Sequence, residues 1–226
     1  MVLLATIEKR VRSLELRGNK KSFPCVHEVE TVPPVGDLAD DMQTTHPDDY
    51  HVYVVPLRLH GHISVFRVSA VVRSNVTDGT TAEAGMAIYK YNPGPFTSSD
   101  PIKTSEPYSL RRVAKLGTVA HTETADAGTQ IPKRFNADLT KHVTLDPRSG
   151  IFFVAYTANT YTKWLCPGYG MGDRARRKGR KTGYTGATAN DFPEELTVTP
   201  QVAPVPWIAL RSTLGVRLYG DVENYG

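Results

Sequence analysis

The chain has only two cysteines in 226 residues, Cys25 and Cys166. Their spacing forms neither a CxxC pair nor a zinc-ligand set, so a disulfide-dense scaffold and a zinc module are both excluded. One disulfide between them would need an oxidising compartment, and two reduced thiols is the plainer expectation. Long apolar runs are also missing. No stretch approaches the ~20 apolar residues of a membrane span. The first residues, Met1 to Glu8, lack a basic lead before the apolar ones, and Glu8 and Lys9 interrupt any signal-like core, so a secretory leader is not expected. Catalytic signatures are absent too: there is no GxSxG, no Walker loop, no HExxH and no cofactor fingerprint. Glycosidase carboxylates have no recognisable spacing, and nothing selects Glu83, Glu106 or Glu123 for that role. The expectation is a protein that is not an enzyme and carries no cofactor.

Charge of one sign is scarce outside one place. The net charge is +4, and much of the excess comes from Arg174, Arg176, Arg177, Lys178, Arg180 and Lys181. This run suits an acidic partner protein or phosphate and sulfate groups. It has no interleaved aromatics, so single-stranded nucleic acid is not expected as a partner. A solvated loop is the plain alternative. Asp37, Asp40, Asp41, Asp48 and Asp49 do not follow the calcium-loop spacing and read as linker residues.

Helix-period patterning is confined to the beginning. Leu4, Ile7, Val11 and Leu14 are spaced three, four and three, an a/d stripe over residues 1–18 that Gly18 would end. Two heptads are too few to hold chains together unaided. The stripe therefore serves oligomerisation or anchoring, or lies on its own domain. Residues 19–50 read as an irregular connector.

From residue 51 to 226 the pattern is that of a β-sandwich, interrupted by one long loop. Strand-like runs cover His51 to Leu57, His62 to Val72, Ala82 to Tyr91 and Tyr108 to Leu116, with a short extension at Val119 to Thr122. A weaker run follows at Gln130 to Ala137 and a short one at His142 to Leu145; Ile151 to Tyr156 is the strongest apolar strand, and Thr162 to Cys166, Trp207 to Leu210 and Leu214 to Tyr219 complete the set. Pro56 suggests an edge or a bulge. In the second run Ile63 and Val65 share one parity, and Val68, Ala70 and Val72 the other, which predicts a bulge near Phe66 and Arg67. Short strands with turn signals and no alternating helices predict an all-β, antiparallel, jelly-roll-like β-sandwich preceded by a short N-terminal helix. Residues 167–205 hold six glycines and several prolines and read as a long basic loop, the best candidate contact surface. Asn75 to Thr77 fits a glycosylation sequon and reads as a turn.

Two further features have a local reading. His60 and His62 share a strand face and could meet a metal near a symmetry axis, but no third ligand is close in sequence. Tyr108, Tyr161, Trp164 and Trp207 could stack on sugars, while the two tryptophans sit where core packing is the commoner role.

The segments Gly85 to Tyr89, of the form G-hydrophobic-x-hydrophobic-Y, and Val143 to Tyr156, a strand, a Pro/Gly turn and an aromatic strand, resemble the sandwich modules of tailed-bacteriophage fibre and other virion proteins. The similarity covers Ile63 to Cys166, roughly half the chain, and carbohydrate-binding sandwiches share the pattern. It implies a homo-oligomeric, trimeric virion protein, assembled in the host cytoplasm, that contacts other virion proteins and a host-surface glycan. A capsid decoration or head-fibre protein, a tail adaptor, and a carbohydrate-binding module outside a virus are the alternative readings.

Overall fold

A computed structural model describes residues 28–31, 42–44, 49–74, 79–91, 107–122, 133–166 and 179–212. They form twelve strands: β1 (Glu28–Glu30), β2 (Met42–Thr44), β3 (His51–Pro56), β4 (Ile63–Ser74), β5 (Thr81–Tyr91), β6 (Tyr108–Thr122), β7 (Lys133–Leu145), β8 (Ile151–Ala158), β9 (Thr162–Leu165), β10 (Gly179–Thr185), β11 (Glu195–Ala203) and β12 (Ile208–Ser212). All pairings are antiparallel. The protein is all-β, as its patterning predicts. The N-terminal stripe of Leu4, Ile7, Val11 and Leu14 and the strand expected at Leu214 to Tyr219 lie outside the described residues.

One layer is an open sheet built on β4. Along one edge β4 pairs with β7. Along the other it pairs with β12 through Val65 to Ala70, then with β9 through Val72 to Ser74. The Trp207 amide donates to the Leu165 carbonyl at 2.7 Å and ties those two neighbours together. β1 extends β12, and β2 extends β9. The second layer closes on itself as a barrel in the order β10-β11-β6-β5-β8-β3.

This arrangement explains why some strands are apolar throughout. The main core lies between the layers and includes Val68, Ala70, Met86, Ile88, Val154, Tyr156 and Trp164. A second core fills the barrel, with Val52, Val54, Ala87, Tyr89, Phe153, Ala155 and Phe192. Alternate residues of β3, β5 and β8 thus enter different cores, and both faces are buried. Such strands need near-continuous apolar sequence rather than alternation. Ile151 to Tyr156 has that composition for this reason.

The parity switch in β4 is present. Ile63, Val65, Val68, Ala70 and Val72 are all buried. The register with β7 breaks between Val65 and Arg67, where Val143 and Asp138 face them across four intervening β7 residues. That irregularity also explains why β7 reads in sequence as two short runs. β6 is one strand for a similar reason: Gly117, at φ 105°, sits at a register shift opposite Met86 and lets the chain kink without ending. Pro56 is the last residue of β3, which lies inside the closed ring, so the edge position it suggests is not adopted.

The stretch 167–205 departs most from its sequence reading. Instead of one long loop, it contains β10 and β11, two staves of the barrel. β10 carries almost no apolar signal because it packs by lacking bulk. A Cβ on Gly179 would stand 2.5 Å from the Pro204 carbonyl oxygen. The next buried residue, Thr182, donates its hydroxyl to the Val52 carbonyl at 2.7 Å.

Candidate functional site

The described end of the basic run is committed to the barrel. β11 carries extra residues at 199–201 relative to β10, and the Arg180 guanidinium donates from Nη1 to the Pro200 carbonyl in that bulge. The Lys181 carbonyl accepts from the Thr199 hydroxyl at 2.9 Å. β10 has its own bulge against β3, where the His51 ring fills the gap. Its Nε2 lies 2.9 Å from the Thr182 carbonyl, and its Nδ1 3.0 Å from the Thr185 hydroxyl. The Nε2 must therefore carry the proton. Arg180 and Lys181 thus have structural duties that the sequence run does not suggest, whereas Arg174, Arg176, Arg177 and Lys178 lie outside the described residues.

The β10–β11 connection, residues 186–194, is seated on the segment that carries the G-hydrophobic-x-hydrophobic-Y pattern. A Cβ on Gly85 would fall 1.6 Å from the Ala189 carbonyl oxygen, so only glycine admits the crossing chain. Four residues on, the Tyr89 hydroxyl donates to the Pro193 carbonyl at 2.5 Å. Phe192 plugs the barrel, and Lys115 Nζ donates to the Asn190 carbonyl at 2.7 Å. The first and last residues of the pattern therefore hold the same loop.

Asp191 closes this loop from within. Its carboxylate accepts from the Ala187 amide at 2.8 Å and from the Tyr184 hydroxyl, and both bonds favour the charged form. The Asp191 carboxyl is accordingly held below its ordinary 3.8, the Ala187 bond being the largest cause. A depressed folded-state pKa contributes stability above the unfolded value, and that contribution disappears as pH falls through the folded value. The Ala187 amide resonance should thus stay fixed above about pH 4 and move upfield as acid breaks the bond. An unchanged resonance through that window would contradict the assigned role. Asp191→Asn should remove the transition.

At the same end of the barrel, where β8 turns into β9, a dense polar network adjoins this loop, whose Gly186 amide donates to the Tyr50 carbonyl at 3.0 Å. Asn159 Nδ2 donates to the Thr81 carbonyl at 2.8 Å, and its Oδ1 accepts from the Thr162 hydroxyl at 2.8 Å and the Glu83 amide at 3.2 Å. Glu83 accepts from the Tyr50 hydroxyl at 2.9 Å, and burial with this contact pushes the Tyr50 phenol up to about 12. Tyr50 holds φ 55°, uncommon for a residue with a Cβ. Asp49 accepts from the Thr160 amide at 2.9 Å. Glu83 therefore serves the rim, while Glu106 and Glu123 are outside the described residues.

Tyr161 projects from this fixed turn and is 39% exposed, one of few large apolar side chains so placed among the described residues. Along β9, Thr162 and Trp164 point into the core, and Lys163 and Leu165 take the outer face. Lys163 lies directly opposite Arg73 of β4. Arg73 Nε is shielded from solvent and has no hydrogen-bond partner. The described anions of this outer face are paired elsewhere: Asp138 with Arg67, and Glu28 with Arg211 at 3.0 Å. Glu30 accepts from Trp207 Nε1 at 3.0 Å. Tyr161 is visible in the sequence as an aromatic, whereas the two cations are not, because only strand pairing brings residues 73 and 163 together.

The other predicted features have local roles or no described partner. Trp164 and Trp207 are buried. Tyr108 contacts Tyr91 and Phe153, and burial pushes its phenol up to about 12. His60 is exposed, and His62 adds slightly to the Arg148 contacts that hold Asp146 down to about 2. Among the described residues no three His, Cys, Asp or Glu side chains gather as a metal site. Cys166 is buried in the main core, and Cys25 lies outside the described residues. Among the described residues no helix is long and apolar enough to cross a membrane.

The fold is an antiparallel all-β scaffold in which an open sheet backs a closed barrel. Comparison with known protein families, with curated proteins and with solved structures finds no match.

Proposed function

We propose that the chain is a non-enzymatic structural component of a tailed-phage particle. In this reading it is a homo-oligomeric, trimeric fibre or spike that carries its sandwich outward to a host-surface receptor. The observation that supports this reading is the placement of the two segments that resemble such modules. Gly85 to Tyr89 and Ile151 to Tyr156 lie on adjacent strands, paired Met86 with Tyr156 and Tyr89 with Phe153. Together they form the wall shared by both cores, so the resemblance falls on the framework of the fold rather than on scattered loops. A framework buried on both faces leaves rims and outer faces free to vary for recognition.

Assembly is tested by the mass of the purified chain in solution. Light scattering after size exclusion should give a trimer for the full chain and a monomer after deletion of residues 1–17, because the Leu4, Ile7, Val11 and Leu14 stripe would supply the contact. A monomer in both preparations would contradict the fibre reading.

A further inference from the structure

We propose that Arg73, Lys163 and Tyr161 form a binding site for a carboxylate-bearing sugar. The proposal deepens the receptor-binding reading and rests on it for its biological sense. Three observations carry it. Arg73 and Lys163 are register partners, which places their Cβ atoms about 5 Å apart. Like charges directly opposite one another on a sheet are destabilising. Here neither has an ion-pair partner among the described residues, and Arg73 Nε is cut off from water without an acceptor. An anion between the two heads offsets the like-charge cost, and a planar guanidinium suits a carboxylate in particular.

The third observation is Tyr161, which lies two residues before Lys163 along the chain. Its ring is exposed on a turn that the Asn159 network holds rigid. A fixed aromatic face with a polar tip gives contact area at small entropic cost. Beside a cation pair, it fits a pyranose ring that bears one acidic group. Two cations match one such group, whereas a nucleic-acid backbone calls for a longer basic stripe. On the other side of the cation pair from Tyr161 the same outer face is apolar, with Val71 and Leu165 buried beside Trp207.

The test uses the full chain against immobilised carboxylated saccharides (oligogalacturonate, hyaluronate and sialyllactose), each beside its methyl ester or neutral counterpart. At least one carboxylated saccharide should be retained, with its uncharged counterpart bound at least about tenfold more weakly, the effect of losing one charge-assisted contact. Tyr161→Ala and Lys163→Glu should each lower that affinity at least about tenfold. Lys163→Glu should also melt no lower than the parent, because the introduced carboxylate would sit opposite Arg73 as an ion pair. That combination separates a binding role from a structural one. Retention of no carboxylated saccharide, equal retention of the uncharged forms, or unchanged binding by Lys163→Glu would each overturn the site. The particle reading is judged separately, by whether purified virions contain the chain. Virions with the chain but without saccharide retention leave that reading standing and the site refuted. Retention by a chain absent from virions leaves the reverse.

Discussion

Gly85→Ala is expected to cost about 3 kcal/mol, at the upper end for overpacking substitutions. The added Cβ would lie 1.6 Å from the Ala189 oxygen and 2.7 Å from its carbonyl carbon, and these are backbone atoms. Relief requires lifting residues 186–194. That loop is fastened by the buried Phe192, by the Arg112 amide donating to the Glu194 carbonyl at 2.7 Å, and by Tyr89 donating to the Pro193 carbonyl at 2.5 Å. For a chain of this size the melting temperature should fall by roughly 6 to 12 °C. Gly183→Ala is the internal control. It lies on β10 with nothing within 4 Å of its added Cβ, and should stay within about 0.5 kcal/mol of the parent. Thermal melts of the two variants side by side decide the matter. A Gly85→Ala melt that matches Gly183→Ala would mean that the loop does not cross there.

Trp164→Ala should cost about 3 to 5 kcal/mol, the usual loss for truncating a fully buried large aromatic. Trp164 has no exposed surface and packs edge-on against Tyr156, with ring centroids 5.6 Å apart, between the two layers. Its Nε1 is also buried without an acceptor. A buried donor left unpaired costs about 1 to 3 kcal/mol. Trp164→Phe removes that donor along with part of the ring, so the gain offsets much of the packing loss. Its net cost should be below about 2 kcal/mol. Urea unfolding of both variants gives the comparison. Equal losses would show that the indole N–H has a partner in solution, and a negligible loss for Trp164→Ala would contradict a tightly packed interlayer core.

The sequence shows the fold where burial is one-sided or complete. Ile63, Val65, Val68, Ala70 and Val72 mark both the inner face of β4 and its bulge, since parity is a local property of the chain. Ile151 to Tyr156 shows a strand apolar on both faces, but not that the second face lines a barrel. Barrel closure depends on β10, whose buried positions are Gly179 and Thr182. Hydrophobic patterning cannot see a strand that is admitted for its small side chains and held by hydroxyl-to-backbone bonds such as that of Thr182. The basic run therefore looks like a continuous loop, although Arg180 and Lys181 already belong to a strand.

The site is legible to a different degree. Tyr161 stands out by its type, and its exposure follows from its place in the turn between β8 and β9. Arg73 and Lys163 are ninety residues apart, and nothing local distinguishes them from other surface cations. Their meaning comes from pairing across a sheet, which is a property of topology. Gly85 is intermediate: the pattern around it is visible, while the reason for a glycine lies in the loop at residues 186–194.

The most direct test of the central proposal is to look for the chain on phage particles. Virions purified from an infected host would be digested for mass spectrometry and imaged by electron cryomicroscopy. Peptides of this chain should appear in stoichiometric amount, with density for a six-stranded barrel backed by an open sheet, repeated about a three-fold axis on the particle surface. Purified virions that lack its peptides, with the chain left in the host lysate, would contradict it.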